Sequence, residues 1–200
     1  DHRDLHSFPT RRSSDLGVEN FNILTTEDNL VYIINIGSNG SDYEYNYIKT
    51  TLTYRKISKI DGVIITAFDT KSQNNLISLI SDYDVKSIIF DSSIDDDLVS
   101  YYRTNTNKNV NIVNFETEYQ LGKFVTLSTL SYNNIKFATI ISVNNKKNLI
   151  INKDLTENRV NVVNNTSYDR IVVNETYSQV FKNVFVNNTK IGRASCRERV

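Results

Sequence analysis

The amino-acid sequence predicts an α/β fold, a layered sandwich of sheets flanked by helices. Two patterns along the chain predict it. In the first half, short β-branched and aromatic runs end at turn residues and are followed by segments with apolar residues at helical spacing. In the second half, apolar runs follow one another closely, as in a β-meander, and a helix–strand order then returns. About 170 residues suffice for one domain with a sizeable core.

The first half contains three predicted strand–helix units. The strands are NLVYIINIG (29–37), IDGVIIT (60–66) and VKSIIF (85–90). The helices that follow them are EYNYIKTTLTYRKI (44–57), SQNNLISLISDY (72–83) and SSIDDDLVSYYRTN (92–105). Ser72 and Ser93 stand where N-capping residues would open the second and third helices. Residues 95–97, three aspartates, could form a metal cluster, but consecutive helical residues point in different directions, so we expect them to complement the helix dipole.

The second half is predicted to be mostly strands. They are VNIVNF (110–115), FVTLSTL (124–130), IKFATIISV (135–143), KNLIINKD (147–154) and DRIVVN (169–174). The pairs Asn133-Asn134 and Asn144-Asn145 predict tight turns between neighbouring strands. A short helix is predicted to open at Thr156, and YSQVFKNVFVNN (177–188) is expected to add a last short helix and strand.

Both ends of the chain differ from its middle. Residues 1–16, DHRDLHSFPTRRSSDL, resemble the translation of a common sequencing-library adapter, and residues 191–200, IGRASCRERV, resemble the same oligonucleotide read from the other strand. Adapter-encoded residues were never selected to pack, so we expect residues 17–190 to form the domain and both adapter-derived tails to lie outside its core. The chain contains no Met, and we expect the domain to be a fragment, incomplete at both ends.

The composition of the middle segment limits its chemistry. The histidines, His2 and His6, and the cysteine, Cys196, all fall in the tails, which removes most catalytic chemistry from residues 17–190. The tails hold six of the 23 basic and four of the 23 acidic residues, leaving a net charge of about −2 that predicts no strong attraction to nucleic acid. No apolar run approaches the roughly 20 residues of a membrane span. Because residues 17–190 contain no cysteine, the sequence indicates neither an oxidising nor a reducing compartment, and the localisation stays open.

The order of strands and junctions resembles the metallo-β-lactamase fold, and specifically the soluble hydrolase-like domain of the ComEC family of bacterial DNA-uptake (competence) proteins. In that family a strand ending in I-D-x-G precedes a helix, K-I-D-x-L-I-L-T-H-x-D-x-D-H and V-x-x-I-I; here YIINIG, SKIDGVIITAFDTKS and DVKSIIF stand in that order. The later L-L-T-G-D and D-V-L-K-V-x-H-H correspond to NLIINKDL and YDRIVVNETY. The resemblance covers most of 20–188, without a clear first strand or the final turns.

The resemblance implies a metal site that has lost its ligands. The family's site binds one or two zinc or manganese ions through imidazoles and carboxylates, and the metal activates a bound water. The residues at the metal-binding His positions are Ala67, Ser72 and Glu175 or Thr176. Lys71 replaces an Asp, and only Asp69 and Asp154 keep a ligand type. We therefore expect no bound metal, and a vestigial pocket formed by Asn35, Asp69, Lys71, Ser72, Asp154 and Glu175.

A pocket with two carboxylates and no metal needs another positive charge, because close carboxylates repel each other. If Asp69 and Asp154 meet at one end of the sandwich, we expect Lys71, or failing that Lys153 or Arg170, within roughly 4 Å of one of them. A Ser-Lys arrangement of Ser72 with Lys71 is the one other catalytic possibility considered, since a nucleophile needs an activating base.

These observations predict a catalytically inactive domain, a pseudoenzyme on a hydrolase fold. By resemblance it would be a soluble domain of a bacterial inner-membrane protein, with DNA or the membrane-channel part of the same protein as its partner; the alternative is a stand-alone structural or protein-interaction module. No small-molecule substrate is indicated. In SYYRTNTNKNVN (100–111), the residues that could contact nucleic acid are Tyr101, Tyr102, Arg103 and Lys108; a solvated helix end is the other interpretation.

Overall fold

The computed structural model describes residues 21–37, 42–68, 70–151 and 155–173, and at 42–44, 70, 71, 172 and 173 it describes the backbone only. Both tails and the helix and strand predicted at 177–188 lie outside the described residues.

The first sheet has five strands in the order β1-β2-β4-β6-β7. Their bounds are Asn22–Thr25 (β1), Val31–Ile34 (β2), Gly62–Ile65 (β4), Ser87–Asp91 (β6) and Asn109–Val113 (β7). β1 runs antiparallel to β2, and β2, β4, β6 and β7 are mutually parallel. Parallel neighbours need crossover connections, and the predicted strand–helix units supply them.

The crossovers carry three helices, α1 (Asp42–Tyr54), α2 (Thr70–Asp82) and α3 (Asp96–Asn105). A short parallel pair, β3 (Lys59–Ile60) with β5 (Asp84–Val85), accompanies them. The apolar faces of the helices and one face of the first sheet form a common buried cluster, whose helical members include Ile48, Leu52, Leu76, Leu79 and Val99. The helices therefore cover the outer face of this sheet.

The second sheet has the order β12-β11-β10-β9-β8. Its strands are Tyr119–Gln120 (β8), Val125–Tyr132 (β9), Ile135–Val143 (β10), Lys146–Ile151 (β11) and Arg170–Val173 (β12), and helix α4 is Glu157–Asn164. β8 to β11 form an antiparallel meander, whereas β12 returns parallel to β11 after α4. Both Asn-Asn pairs form the predicted two-residue turns, with positive φ at all four residues, as type I′ hairpins require.

The two sheets pack face to face, with a helical layer on the outside of each. Between the sheets lies a cluster that includes Ile34, Ile64 and Ile89 from the first sheet and Leu127 and Ile141 from the second. α4 packs through Val160 and Val163 on the outer face of the second sheet, against residues such as Phe137 and Leu149. The predicted αββα sandwich is thus confirmed.

A β-bulge interrupts β10 near its start. Lys136 is paired with Ser131 of β9, but Ala138 is paired with Leu130, so Phe137 is the extra residue. Side chains alternate between the faces of a strand, and a bulge changes the phase of this alternation. Phe137 and Ala138 consequently both belong to the cluster under α4, and Lys136 lies on the side that faces the first sheet.

Three sequence expectations about element ends need correction. Asp95, not Ser93, caps α3, and its carboxylate accepts from the N–H groups of Asp97 and Leu98. α2 begins at Thr70, so Ser72 lies inside its first turn rather than at the cap. A first strand is present, because β1 buries Ile23 and Leu24 although its four residues are too few to show a period. Thr156 caps α4 as predicted.

Candidate functional site

Polar side chains gather where the central parallel strands of the first sheet end. Ile34 of β2 pairs with Ile64 of β4, and Ile65 pairs with Phe90 of β6. Asn35, Thr66 and Asp91 therefore stand at the carboxyl ends of three neighbouring strands, and all three are buried. In open α/β sheets this is the edge at which ligands usually bind.

Asn35 joins β2 to β4 at this edge. Its backbone has a φ of 58°, in the left-handed region that Asn tolerates better than most residues. Its N–H donates to the Ile64 carbonyl at 2.7 Å, and its side-chain oxygen accepts from both the N–H and the hydroxyl of Thr66. The amide oxygen of Asn35 is thus already used within the protein.

Ser72 and Asn75 hold the chain after β2 against α2. The Ser72 hydroxyl donates to the Gly37 carbonyl at 2.7 Å, and the Asn75 amide donates to the Ile36 carbonyl at 2.8 Å. Both side chains are buried. Ser72, which the sequence resemblance matched to a metal-binding His, uses its hydroxyl to hold the Gly37 carbonyl.

Asp91 forms a buried ion pair with Lys136 of the opposite sheet, at side-chain exposures of 0% and 9%. The carboxylate also accepts from the hydroxyl of Ser93 at 2.5 Å, from the Ser93 N–H at 2.8 Å and from the N–H of Phe115 at 3.4 Å. Burial alone would raise the pKa of Asp91, but the hydrogen bonds from Lys136 and Ser93 outweigh it and hold this pKa below its ordinary value.

The sequence interpretation missed this pair. Asp91 directly follows the predicted strand VKSIIF, and Lys136 is the single charged residue of the apolar run IKFATIISV. Both features signal a buried polar interaction, since a charge on a buried strand needs a partner.

Aromatic packing anchors the loop after β4. The ring of Phe68 makes edge-on contacts with Phe90 and Tyr102, at centroid distances of 5.7 and 6.1 Å. The Tyr102 hydroxyl is buried without a hydrogen-bond partner in the described part of the chain, and burial, with a smaller contribution from Tyr101, raises its pKa to about 12. Tyr102 is 1% exposed, so its expected contact with nucleic acid is wrong: the ring belongs to the core.

The other residues expected to contact nucleic acid lie nearer the surface. Tyr101 is 52% exposed, Arg103 is exposed and donates from Nε to the Val110 carbonyl at 3.4 Å, and Lys108 is half-buried. A helical period separates Tyr101 from Tyr102 by about 100°, which explains why only one of the two rings can face solvent.

Several residues of the expected pocket are not placed. Asp69, Asp154 and Glu175 lie outside the described residues, as does Lys153, and of Lys71 only the backbone in α2 is described. The charge replacement expected from Lys71, Lys153 or Arg170 therefore stays a prediction. Of the expected pocket, Asn35 and Ser72 are seen near the same edge.

Comparison with known proteins identifies the fold of this chain but no family. No family model matches the chain, and no curated protein matches it. Among solved structures, Zn²⁺-bound PqqB from Methylobacterium extorquens matches with a TM-score of 0.59 and 11% identity, over 80% of this chain and 58% of that one. The metallo-β-lactamase fold protein YhfI from Bacillus subtilis matches with a TM-score of 0.54 and 12% identity, over 78% and 64%.

This chain has the metallo-β-lactamase fold. It spans less than two thirds of the length of either matched protein. Among its described helices, none combines the length and apolar character needed to cross a membrane.

The zinc of PqqB raises the question whether this metallo-β-lactamase-fold chain offers a comparable site. Zinc requires three or four imidazole, thiolate or carboxylate ligands. Within the described ranges, no three His, Cys, Asp or Glu side chains come together. The buried carboxylate of Asp91 is already saturated by Lys136, Ser93 and Phe115. An adjacent ammonium also opposes a second cation, so the described residues do not fit a zinc ion.

Proposed function

We propose that this metallo-β-lactamase-fold domain performs no metal-dependent hydrolysis and acts as an accessory, DNA-contacting domain of a ComEC-like DNA-internalisation protein. The ion pair between Asp91 and Lys136 carries the first part of the proposal, because it puts an ammonium on the buried carboxylate of the strand-end site. The order of YIINIG, SKIDGVIITAFDTKS and DVKSIIF supports the second part.

The hydrogen bonds at the strand ends support a structural role for these residues. A general base works best with a pKa near the operating pH and a free lone pair toward its substrate. Asp91 has a lowered pKa, and its oxygens accept from four donors. Asn35 and Ser72 are likewise engaged with Thr66 and Gly37.

Two exposed side chains near the end of α3 support contact with DNA. Tyr101 and Arg103 are both exposed, and because two residues along a helix are about 200° apart, each would contact DNA separately. Stacking on an aromatic ring and ionic contact with a cation both suit single-stranded nucleic acid, and neither requires a strong overall charge. The proposed contact therefore fits a segment whose net charge is about −2.

Metal content tests the first part. The full chain carrying His2→Ala, His6→Ala and Cys196→Ser should keep no stoichiometric zinc or manganese after dialysis, and should not degrade DNA when either ion is added. The three substitutions remove side chains that could bind zinc adventitiously. About one tightly held ion per chain, with metal-dependent cleavage of DNA, would overturn the proposal.

Fluorescence anisotropy with a labelled oligo(dT) tests the second part. At low salt, Tyr101→Ala should weaken binding by roughly 5- to 150-fold, the range that the loss of one stacked base contact gives, and Arg103→Ala should weaken it as well. Tyr54→Ala is the matched control, since Tyr54 is an exposed tyrosine on a different helix. No binding by the unmodified chain, or equal losses in all three variants, would favour the alternative of a structural or protein-interaction module.

A further inference from the structure

The ion pair between Lys136 and Asp91 differs in its environment from the pair between Lys86 and Asp61. Lys86 and Asp61 make contact at 2.5 Å with side-chain exposures of 60% and 15%, whereas Lys136 and Asp91 are 9% and 0% exposed. Exposed pairs contribute little to stability, but breaking a buried pair leaves a charge without solvent or partner. Breaking the buried pair should therefore cost more stability than breaking the exposed one.

The β-bulge at Phe137 sets the position of the Lys136 ammonium. Without the bulge at Phe137, Lys136 would share a face with Ala138 and Ile140, which belong with the cluster under α4. The extra residue turns Lys136 to the inner face, across from the carboxyl end of β6. Bulges commonly redirect a side chain next to a functional site.

The position of the pair relates it to the strand-end site. Asp91 lies beside Thr66 at the carboxyl ends of β6 and β4, and Thr66 is the first residue of TAFDTKS (66–72), whose last three residues belong to α2. At this edge an interior carboxylate needs a cation, and the described residues supply one from the opposite sheet. The ammonium of Lys136 also joins the sheets by contacting Asp91 across the gap between them.

We propose that Lys136 is the resident cation of the strand-end site: its ammonium neutralises Asp91, as a bound cation would, and holds the end of β6 against β10. The position accepts a cation, and in this chain that cation is the ammonium of a lysine side chain. This inference rests on the proposed lack of a catalytic metal, but it makes a separate claim about which group links the two sheets at this edge.

Charge-neutral variants test whether the pair acts as a unit. Lys136→Met keeps much of the side-chain volume and leaves Asp91 unpaired, so the midpoint of thermal unfolding should fall by roughly 10 °C. Asp91→Asn in the same chain should recover at least half of that loss, because it removes the unpaired charge. Lys86→Met at the exposed pair should shift the midpoint by no more than about 2 °C. A Lys136→Met chain as stable as the unmodified one would overturn the inference.

Charge reversal tests whether the position needs a cation rather than a lysine. Lys136→Asp places two carboxylates together, and a hard divalent cation binds such oxygen ligands. The variant should be strongly destabilised in chelator, and millimolar Mn²⁺ or Mg²⁺ should raise its unfolding midpoint by at least 5 °C. If it does not fold in chelator, it should refold when the ion is added. Lys86→Asp is the matched control, and a gain no larger than in this control would contradict the inference.

Labelling of the unmodified chain provides a readout that does not depend on any variant folding. Reductive methylation under native conditions, followed by peptide mass spectrometry, should modify Lys136 at least tenfold more slowly than Lys86, since Lys136 is buried and donates to Asp91. Equal rates would show that the ammonium is not held in the interior. Stoichiometric zinc at other residues would refute the proposed function yet leave these three results unchanged, so the two ideas can fail separately.

Discussion

The side-chain oxygen of Asn35 accepts two hydrogen bonds from Thr66, one from the backbone N–H at 2.9 Å and one from the hydroxyl at 3.0 Å. The two residues end neighbouring parallel strands, so this one amide closes the edge of the sheet between β2 and β4. Both are buried, and water cannot replace the lost acceptor if Asn35 is changed.

Asn35→Ala should therefore lower the free energy of unfolding by about 3 kcal/mol, because it leaves two donors unsatisfied and because Ala tolerates a positive φ less well than Asn does. Urea unfolding measures this loss. Asn35→Gly separates the two causes, because it relieves the backbone strain and still lacks the acceptor. Thr66→Val, which removes only the hydroxyl, should cost about 1 kcal/mol. Unchanged stability in Asn35→Ala would show that the hydrogen bonds from Thr66 to Asn35 do not stabilise the fold.

The lowered pKa of Asp91 predicts how its contribution to stability depends on pH. A carboxyl whose pKa is depressed in the folded state stabilises the fold above its unfolded value of 3.8, and this contribution is lost as the pH falls through the folded pKa. The difference in unfolding free energy between the unmodified chain and Asp91→Asn should be constant from pH 7 to 5 and shrink below about pH 4.

Urea unfolding of both chains at pH 7, 5 and 3 checks this dependence. The pKa of Asp61 is also lowered, because hydrogen bonds from Lys86 and the Val31 N–H outweigh its burial, and a hydrogen bond from Lys49 lowers the pKa of Asp82. Both residues are present in both chains, so their contributions cancel in the comparison. A difference that grows toward low pH would mean that the pKa of Asp91 is raised, not lowered, in the folded state.

The second residue of each Asn-Asn turn offers a test of the hairpin geometry. Asn134 and Asn145 have φ values of 61° and 64°. Asn134→Ala and Asn145→Ala should each cost about 1 kcal/mol, because Ala lacks the short polar side chain that lets Asn adopt the left-handed region, whereas glycine at either position should be neutral or slightly stabilising. Thermal unfolding distinguishes the two substitutions. Equal effects of Ala and Gly would contradict the type I′ assignment.

Gly62 in β4 leaves room for the ring of Tyr32. An added Cβ would lie 2.9 Å from Cδ1 of Tyr32 and 3.2 Å from the Ser87 hydroxyl oxygen. Tyr32 is fixed in place, since its hydroxyl donates to the Leu121 carbonyl at 2.7 Å. We expect Gly62→Ala to lower the free energy of unfolding by about 1–3 kcal/mol.

Tyr32→Leu provides the control for this clash. In that background Gly62→Ala should cost much less, because the shorter side chain can move away. Differential scanning calorimetry of the four chains gives the coupling, and strictly additive losses would show that the ring is not the obstacle.

Local sequence signals predicted much of this fold. The strand–helix alternation of 29–105 and the turns at both Asn-Asn pairs were predicted correctly, because period and turn chemistry are properties of neighbouring residues. The predicted N-cap of α3 was wrong because Ser93 and Asp95 are both good capping residues. Only the structure shows that the Ser93 hydroxyl instead donates to Asp91, while Asp95 caps the helix.

The interior of the site could not be predicted in the same way. The contact between Asp91 and Lys136 depends on a bulge at Phe137, and no residue type marks that position. β1 and β8 are four and two residues long, too short for a period to show. Tyr102 was expected at the surface because a Tyr-Tyr pair does not reveal which ring faces the core.

The two-residue turns have a consequence for how the chain folds. Hairpins closed by such turns form within microseconds, because their contacts join residues close together in sequence. The parallel strands β2, β4, β6 and β7 meet only after whole helices have been laid between them, and such distant contacts slow folding. The meander of β9, β10 and β11 should therefore assemble first, with Lys136 already in place on β10 when β6 and its carboxylate Asp91 pack against it.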